Sequence, residues 1–235
     1  MAESSTFRID RNGRPREQLW EFLVFLFLIA PSMGLSFFLV RNGAITFVLA
    51  ALSTIFRDLA LVSLVAFFLW RNGEPRQRIG WNFHNKWSDA ALGAALFVPV
   101  ASAISLLDKL LRRMGLSNPA TPLPKFLSAK GSAEVVLAAL LVVVVAISEE
   151  VIFRGYLILR LSTITRSTAT AVLLSSVIFS LGHGYEGAAG VVSVGVMGLV
   201  FALVYLWRES LLAPILMHLL QDFAGIVLPA LLHHK

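Results

Sequence analysis

The chain has no cysteine among its 235 residues, so disulfides, thiolate nucleophiles and Cys-ligated metals are excluded, and the redox compartment cannot be read from it. Charge is scarce too. Only 14% of residues are Asp, Glu, Lys or Arg, against about 25% in a soluble domain. Internal repeats, low-complexity tracts and an appended soluble domain are also missing. What fills the chain is apolar: 57% of residues are hydrophobic and the mean hydropathy is +0.78.

That composition implies a membrane protein, because runs able to cross a hydrocarbon core of about 30 Å recur along nearly the whole length. The expected fold class is an all-α polytopic helical bundle of about seven transmembrane helices, with six to eight defensible. The spans are 18–40, 45–70, 88–107, 133–159, 168–184, 188–207 and 210–232. Residues 1–17 read as a polar basic tail, and 18–232 as one transmembrane domain whose motif-bearing part is 133–232. The run 45–70 is interrupted by Arg57 and Asp58, leaving a single tilted helix and a re-entrant pair both open.

The net charge of +6 sits in loops between apolar runs, where it reports orientation and contact with anionic headgroups; nucleic-acid binding is rejected. A cytoplasmic N-terminus puts eleven Lys and Arg inside against seven outside, and is the expected orientation. The connection 108–132 carries five of those seven and reads as an amphipathic, Pro-punctuated surface segment. Trp20, Trp70, Trp81 and Trp207 fall near span ends as interfacial anchors, and the terminal "LLHHK" reads as a tail.

Ionisable side chains inside spans cost about 2.5–3.5 kcal/mol on insertion scales, so they face the protein interior and mark function by default. Here they gather late in the chain. Glu149, Glu150 and Arg154 fall in the fourth span, His183 near the end of the fifth, and His218 and Asp222 in the seventh. Helical rise puts Glu149 roughly 16 Å from Arg160 and His218 roughly 14 Å from Glu209, which agree in depth. His183 computes deeper, roughly 25 Å from Arg166, so its helix must tilt or begin below the surface.

Residues four apart share a helix face, which pairs Glu150 with Arg154, Phe179 with His183, and His218 with Asp222. Arg154 then neutralises Glu150 and leaves Glu149 without a cation of its own, suited to take a proton from water. Asp222 is expected to hold the His218 ring in one tautomer. Together these groups would make a hydrolytic site in which imidazoles stabilise the oxyanion and protonate the leaving amine. The plainer reading of Glu150 with Arg154 is an ion pair that fixes packing, and that of Arg57 with Asp58 a local charged pair at a helix break or interface. Tyr185, Glu186 and the glycines Gly182, Gly184, Gly187 and Gly190 are expected to make a flexible turn after His183.

"EEVIFRG", "FSLGH" and "HLLQD" resemble, in this order, the EExxxR, FxxxH and HxxxN/D motifs of the CAAX protease and bacteriocin-processing family, which includes type II CAAX prenyl proteases and bacterial Abi or self-immunity proteins. The match covers about 134–225. The resemblance implies an intramembrane endopeptidase that acts on a peptide or lipidated-protein substrate. Glu149 would activate water, His183, His218 and Asp222 would complete the site, and Glu150 and Arg154 would support it. Asn is the commoner residue where Asp222 stands, and an acid there argues against hydrogen-bond donation to an oxyanion from that position. Nothing in the spacing demands zinc and there is no HExxH, so no obligatory metal is expected; if one is used, Glu149, His183 and His218 would be its ligands. The alternative is a non-catalytic membrane protein, either a proton- or cation-coupled carrier or a self-immunity scaffold, using the same side chains for binding.

Overall fold

A computed structural model describes residues 15–36, 46–116 and 128–232. Among them seven helices follow in order: α1 (Pro15–Ser36), α2 (Phe47–Arg71), α3 (Lys86–Arg113), α4 (Gly131–Thr165), α5 (Thr168–Leu181), α6 (Gly187–Arg208) and α7 (Leu212–Leu232). Each matches one expected span, and the described residues contain no strand. Five of the seven, α2, α3, α4, α6 and α7, are long and apolar enough to cross a membrane. At 14 residues α5 rises only about 21 Å, short of a full crossing. The chain after it turns through a 3₁₀ segment, Gly184–Glu186, before α6 begins. The basic tail before residue 15, Arg41, residues 117–127 of the 108–132 connection and the last three residues lie outside the described residues.

Outward faces carry large apolar side chains in a band, among them Phe27, Phe56, Val98, Leu173 and Leu203, all exposed as lipid contact requires. The question left open at 45–70 is answered by one unbroken helix. Its start is capped by Thr46, whose hydroxyl accepts from the Leu49 amide, and its C-terminal end runs to Arg71. Tight returns join α4 to α5 and α6 to α7: Arg166 (φ 57°) and Glu209 (φ 51°) take left-handed conformations that end their helices within a residue or two.

At one end of the bundle a buried ionic cluster ties three helices and the loop after α2. Arg160, fully buried on α4, donates to both carboxylate oxygens of Glu74 and, at 3.1 Å, to Glu21 on α1. Glu21 also accepts from Arg71 at 2.6 Å and Asn72 at 2.7 Å, while Arg78 reaches Glu74 at 3.1 Å. Near the same end Arg208 on α6 pairs with Asp89 on α3 at 2.7 Å. These contacts gather the start of α1, the end of α2 and the end of α4 on one face, as the alternation of spans demands.

Close approach of α3 and α7 depends on Gly93. A Cβ there would lie 2.7 Å from the carbonyl oxygen of Ala213, the small-residue contact that lets membrane helices touch backbone to backbone. Two apolar cores result, a large one built on α1, the second half of α2, α4, α5, α6 and the start of α7, and a smaller one where the start of α2, the first half of α4 and the end of α7 meet.

Candidate active site

Between those two cores lies a cavity of about 440 Å³. Its walls come from α1, α2, α4, α7 and the end of α5 with the turn that follows, and its polar lining is Arg57, Asp58, Glu149, His183, His218 and Asp222, with Ser53, Thr54 and Tyr185. Every ionisable residue singled out inside a span is therefore in this cavity or directly behind it.

Helix α4 changes its winding where the chemistry sits. From Gly131 to Glu149 it is α-helical, then Glu150–Leu157 widens into a π-helical segment before regular winding resumes. The same happens on α7, where Phe223–Val227 is π-helical immediately after Asp222. Such segments turn successive side chains off the regular spiral, and they recur at functional sites.

The buried Glu150 is the hub. Its Oε1 accepts from Arg154 Nη1 at 2.8 Å and from His218 Nδ1 at 2.8 Å. Arg154 is itself fully buried, lies over the Phe179 ring at 4.2 Å and donates to the Gly198 carbonyl at 3.4 Å. Gly198 has to be small, since a Cβ there would come 3.0 Å from Phe179 and 3.2 Å from Arg154. The arginine thus neutralises Glu150, as the four-residue spacing implies, and also pins α4 to α6.

A carboxylate on Nδ1 fixes the imidazole with its proton there. His218 therefore turns Nε2 toward the cavity, where Glu149 Oε2 lies at 3.7 Å and Asp222 Oδ2 at 3.5 Å. The residue that holds the His218 ring is Glu150, and Asp222 meets the opposite nitrogen. Sequence spacing on α7 alone cannot reveal this, because the stronger partner comes from another helix. His183 is oriented the same way, its Nδ1 set 3.2 Å from the Phe179 carbonyl, a pure acceptor, which leaves Nε2 unprotonated. The Phe179 ring packs 5.0 Å from the His183 ring and 6.0 Å from that of His218, a spacer between the two imidazoles.

Glu149 differs from its neighbour. Its side chain is 12% exposed, whereas that of Glu150 is fully buried, and Glu149 Oε2 has no hydrogen-bond partner among the described residues. A carboxylate oxygen left open beside an imidazole in a cavity is an acceptor for water.

Two residues that carried no motif join the site. Arg57 and Asp58, expected as a local pair, do pair, with Nε and Nη2 both 2.8 Å from Oδ1. They also line the cavity with Glu149 and His218, which a dipeptide of opposite charges gives no sign of in sequence.

For a metal, the three ligands expected are Glu149, His183 and His218. Among the described residues no group of three or more His, Asp or Glu is arranged to hold an ion.

No curated protein and no solved structure matches the chain. A family model described as Rce1-like, type II CAAX prenyl endopeptidase Rce1-like, matches residues 131–224, the stretch from the start of α4 to just past Asp222. That stretch contains all three motifs, with Glu149, Glu150, Arg154, His183, His218 and Asp222, and over it the chain is similar to the type II CAAX prenyl endopeptidase family.

Proposed function

We propose that the protein is an intramembrane endopeptidase in which Glu149 activates water for attack on a peptide carbonyl presented at the membrane. The observation that carries this reading is the open Oε2 of Glu149, 3.7 Å from His218 Nε2 in a cavity shared with His183. A water held between carboxylate and imidazole gives its proton to Glu149 while its oxygen adds to the carbonyl carbon. The carbonyl electrons move onto oxygen, and the tetrahedral centre collapses as the C–N bond breaks and the amine nitrogen takes a proton from the Glu149 carboxyl or an imidazole. Glu150 and Arg154 keep His218 in register, and Asp222 lies 3.5 Å from its cavity-facing nitrogen.

The rest of the reading follows from the same placement. Residues 18–232 form one transmembrane domain behind the basic tail 1–17, with the N-terminus cytoplasmic on the excess of Lys and Arg on that side. The substrate is a peptide or lipidated protein, since the cavity is walled by Ile29, Met33, Leu49, Leu61, Val142 and Ile226 as well as by acids.

The test is cleavage of an internally quenched peptide by purified protein in detergent. Wild type should cleave, and Glu149→Ala and His183→Ala should not. Equal cleavage by both variants would end the glutamate–histidine reading, and pH-driven uptake in liposomes without proteolysis would favour a carrier.

A further inference from the structure

The reaction proposed above needs a fixed donor for the oxygen that becomes negative, and the three motifs meet that need only in part. His218 has committed its Nδ1–H to Glu150, and His183 its own to the Phe179 carbonyl. Glu149 and Asp222, when ionised, only accept. His218 Nε2 faces the cavity between the carboxylates of Asp222 at 3.5 Å and Glu149 at 3.7 Å, so a proton it carries is already shared by two acceptors of the site.

Among the described residues, Arg57 is the one Lys or Arg that lines the cavity. Its Nε and Nη2 share Oδ1 of Asp58, which fixes the guanidinium plane and leaves further N–H groups for something else. The pair is unlike that of Arg160, because its partner is the adjacent residue on the same helix and, among the described residues, no hydrogen bond or ion pair of the two reaches a second helix. Two charges in the middle of a 25-residue apolar helix still cost insertion energy. Arg57 is within electrostatic reach of Glu149, and so is Asp58.

We infer that Arg57 is a catalytic residue of the glutamate reaction, donating to the carbonyl oxygen as it becomes an oxyanion, with Asp58 as the residue that positions it. The charge movement explains why a cation belongs there. At rest Glu149 carries the negative charge and Arg57 offsets it. As Glu149 takes the proton of water and becomes neutral, the charge it loses reappears on the substrate oxygen, and the guanidinium field passes to that oxygen without any group having to move. A fixed donor at the site of developing charge is worth about 10²–10³ in kcat. The role also accounts for tolerance of Asp at 222, because oxyanion donation then does not fall to that position.

This inference rests on the glutamate reading, so the experiment separates the two. Full-length protein in detergent is assayed first as wild type and Glu149→Ala; unchanged cleavage in the latter overturns the reading and the role of Arg57 with it. Once Glu149 dependence is established, Arg57→Gln should lower kcat about 100-fold with KM within about threefold of wild type. Arg57→Ala should regain part of its kcat when ethylguanidinium is added, a response that a purely structural role would not give. Unchanged kcat, or a loss confined to KM, overturns the inference while leaving Glu149 in place. Should the Gln and Ala variants fail to fold, Arg57→Lys keeps the charge and loses the planar fork, and is expected to show roughly tenfold lower kcat; a wild-type kcat there overturns the inference equally.

Discussion

Two clusters of charge are buried in this bundle, and they are built on opposite rules. Around Arg160 nearly every polar atom is satisfied: both oxygens of Glu74, both of Glu21, and Asn72 and Arg78 from the side. Around Glu149 satisfaction stops short, with Glu149 Oε2, Glu150 Oε2 and Asp58 Oδ2 all buried and without a hydrogen-bond partner among the described residues. A closed network of charges holds helices together, whereas open acceptors in a cavity keep a place for a molecule that comes and goes. Charge buried in a membrane protein is therefore not one signal, and saturation separates its two meanings.

The sharpest way to break that contrast is to neutralise one residue in each cluster and measure activity and stability separately. Glu149→Gln should lower cleavage by about 10²–10⁴-fold, the span of a general base. Its thermal unfolding midpoint should stay level or rise, since an unpartnered buried carboxylate has been removed. A fall in both together would place Glu149 with the scaffold. Arg160→Met should do the reverse. Breaking a buried pair costs about 3–5 kcal/mol, and the lower end applies because Glu21 keeps Arg71 and Glu74 keeps Arg78. Specific activity per folded molecule should be unchanged, and a loss of kcat in fully folded protein would mean that the two clusters communicate.

Glu150 sharpens the comparison because it belongs to both kinds. One of its oxygens is doubly used, by Arg154 and by His218, and the other is open. Glu150→Gln keeps the shape but weakens the hold on His218 Nδ1, and outer partners of this sort are worth about 10–100-fold in activity. The drop should be reproduced by His218→Ala, and the double variant should lose little more than either single one. Additive losses would show that Glu150 acts apart from His218.

The bundle itself was legible because hydrocarbon forces long apolar runs, and all seven appear as helices. Motif spacing located Glu149, Glu150, Arg154, His183, His218 and Asp222, since i, i+4 geometry is local and survives into the fold. What crossed between helices was not legible. Nothing on α7 says that Glu150 rather than Asp222 would take Nδ1 of His218, and nothing in "FRD" at Phe56–Asp58 says that this turn of α2 would face Glu149. The π-helical turns after Glu149 and Asp222 were equally hidden, because no residue pattern specifies them. The depth mismatch of His183 had a visible cause: α5 is short, and its end lies inside the bundle, where irregular backbone is tolerated because it lines a cavity.

The shortness of α5 yields the smallest effect that still bears on the contrast. Ser167 caps that helix, its hydroxyl accepting from the Thr170 amide at 3.2 Å, and Thr165 and Thr170 add side-chain bonds around the same turn. Ser167→Ala should cost about 1 kcal/mol of stability, read as a modest fall in the unfolding midpoint. Phe179 and His183 sit at the opposite end of α5, held by Arg154 against the Phe179 ring and by the Phe179 carbonyl on His183 Nδ1. If those contacts fix the imidazole on their own, kcat stays at the wild-type value while the helix start loosens. A fall in kcat larger than the loss of folded protein would instead mean that His183 depends on the register of the whole helix, and that the open cluster draws its order from the capped end.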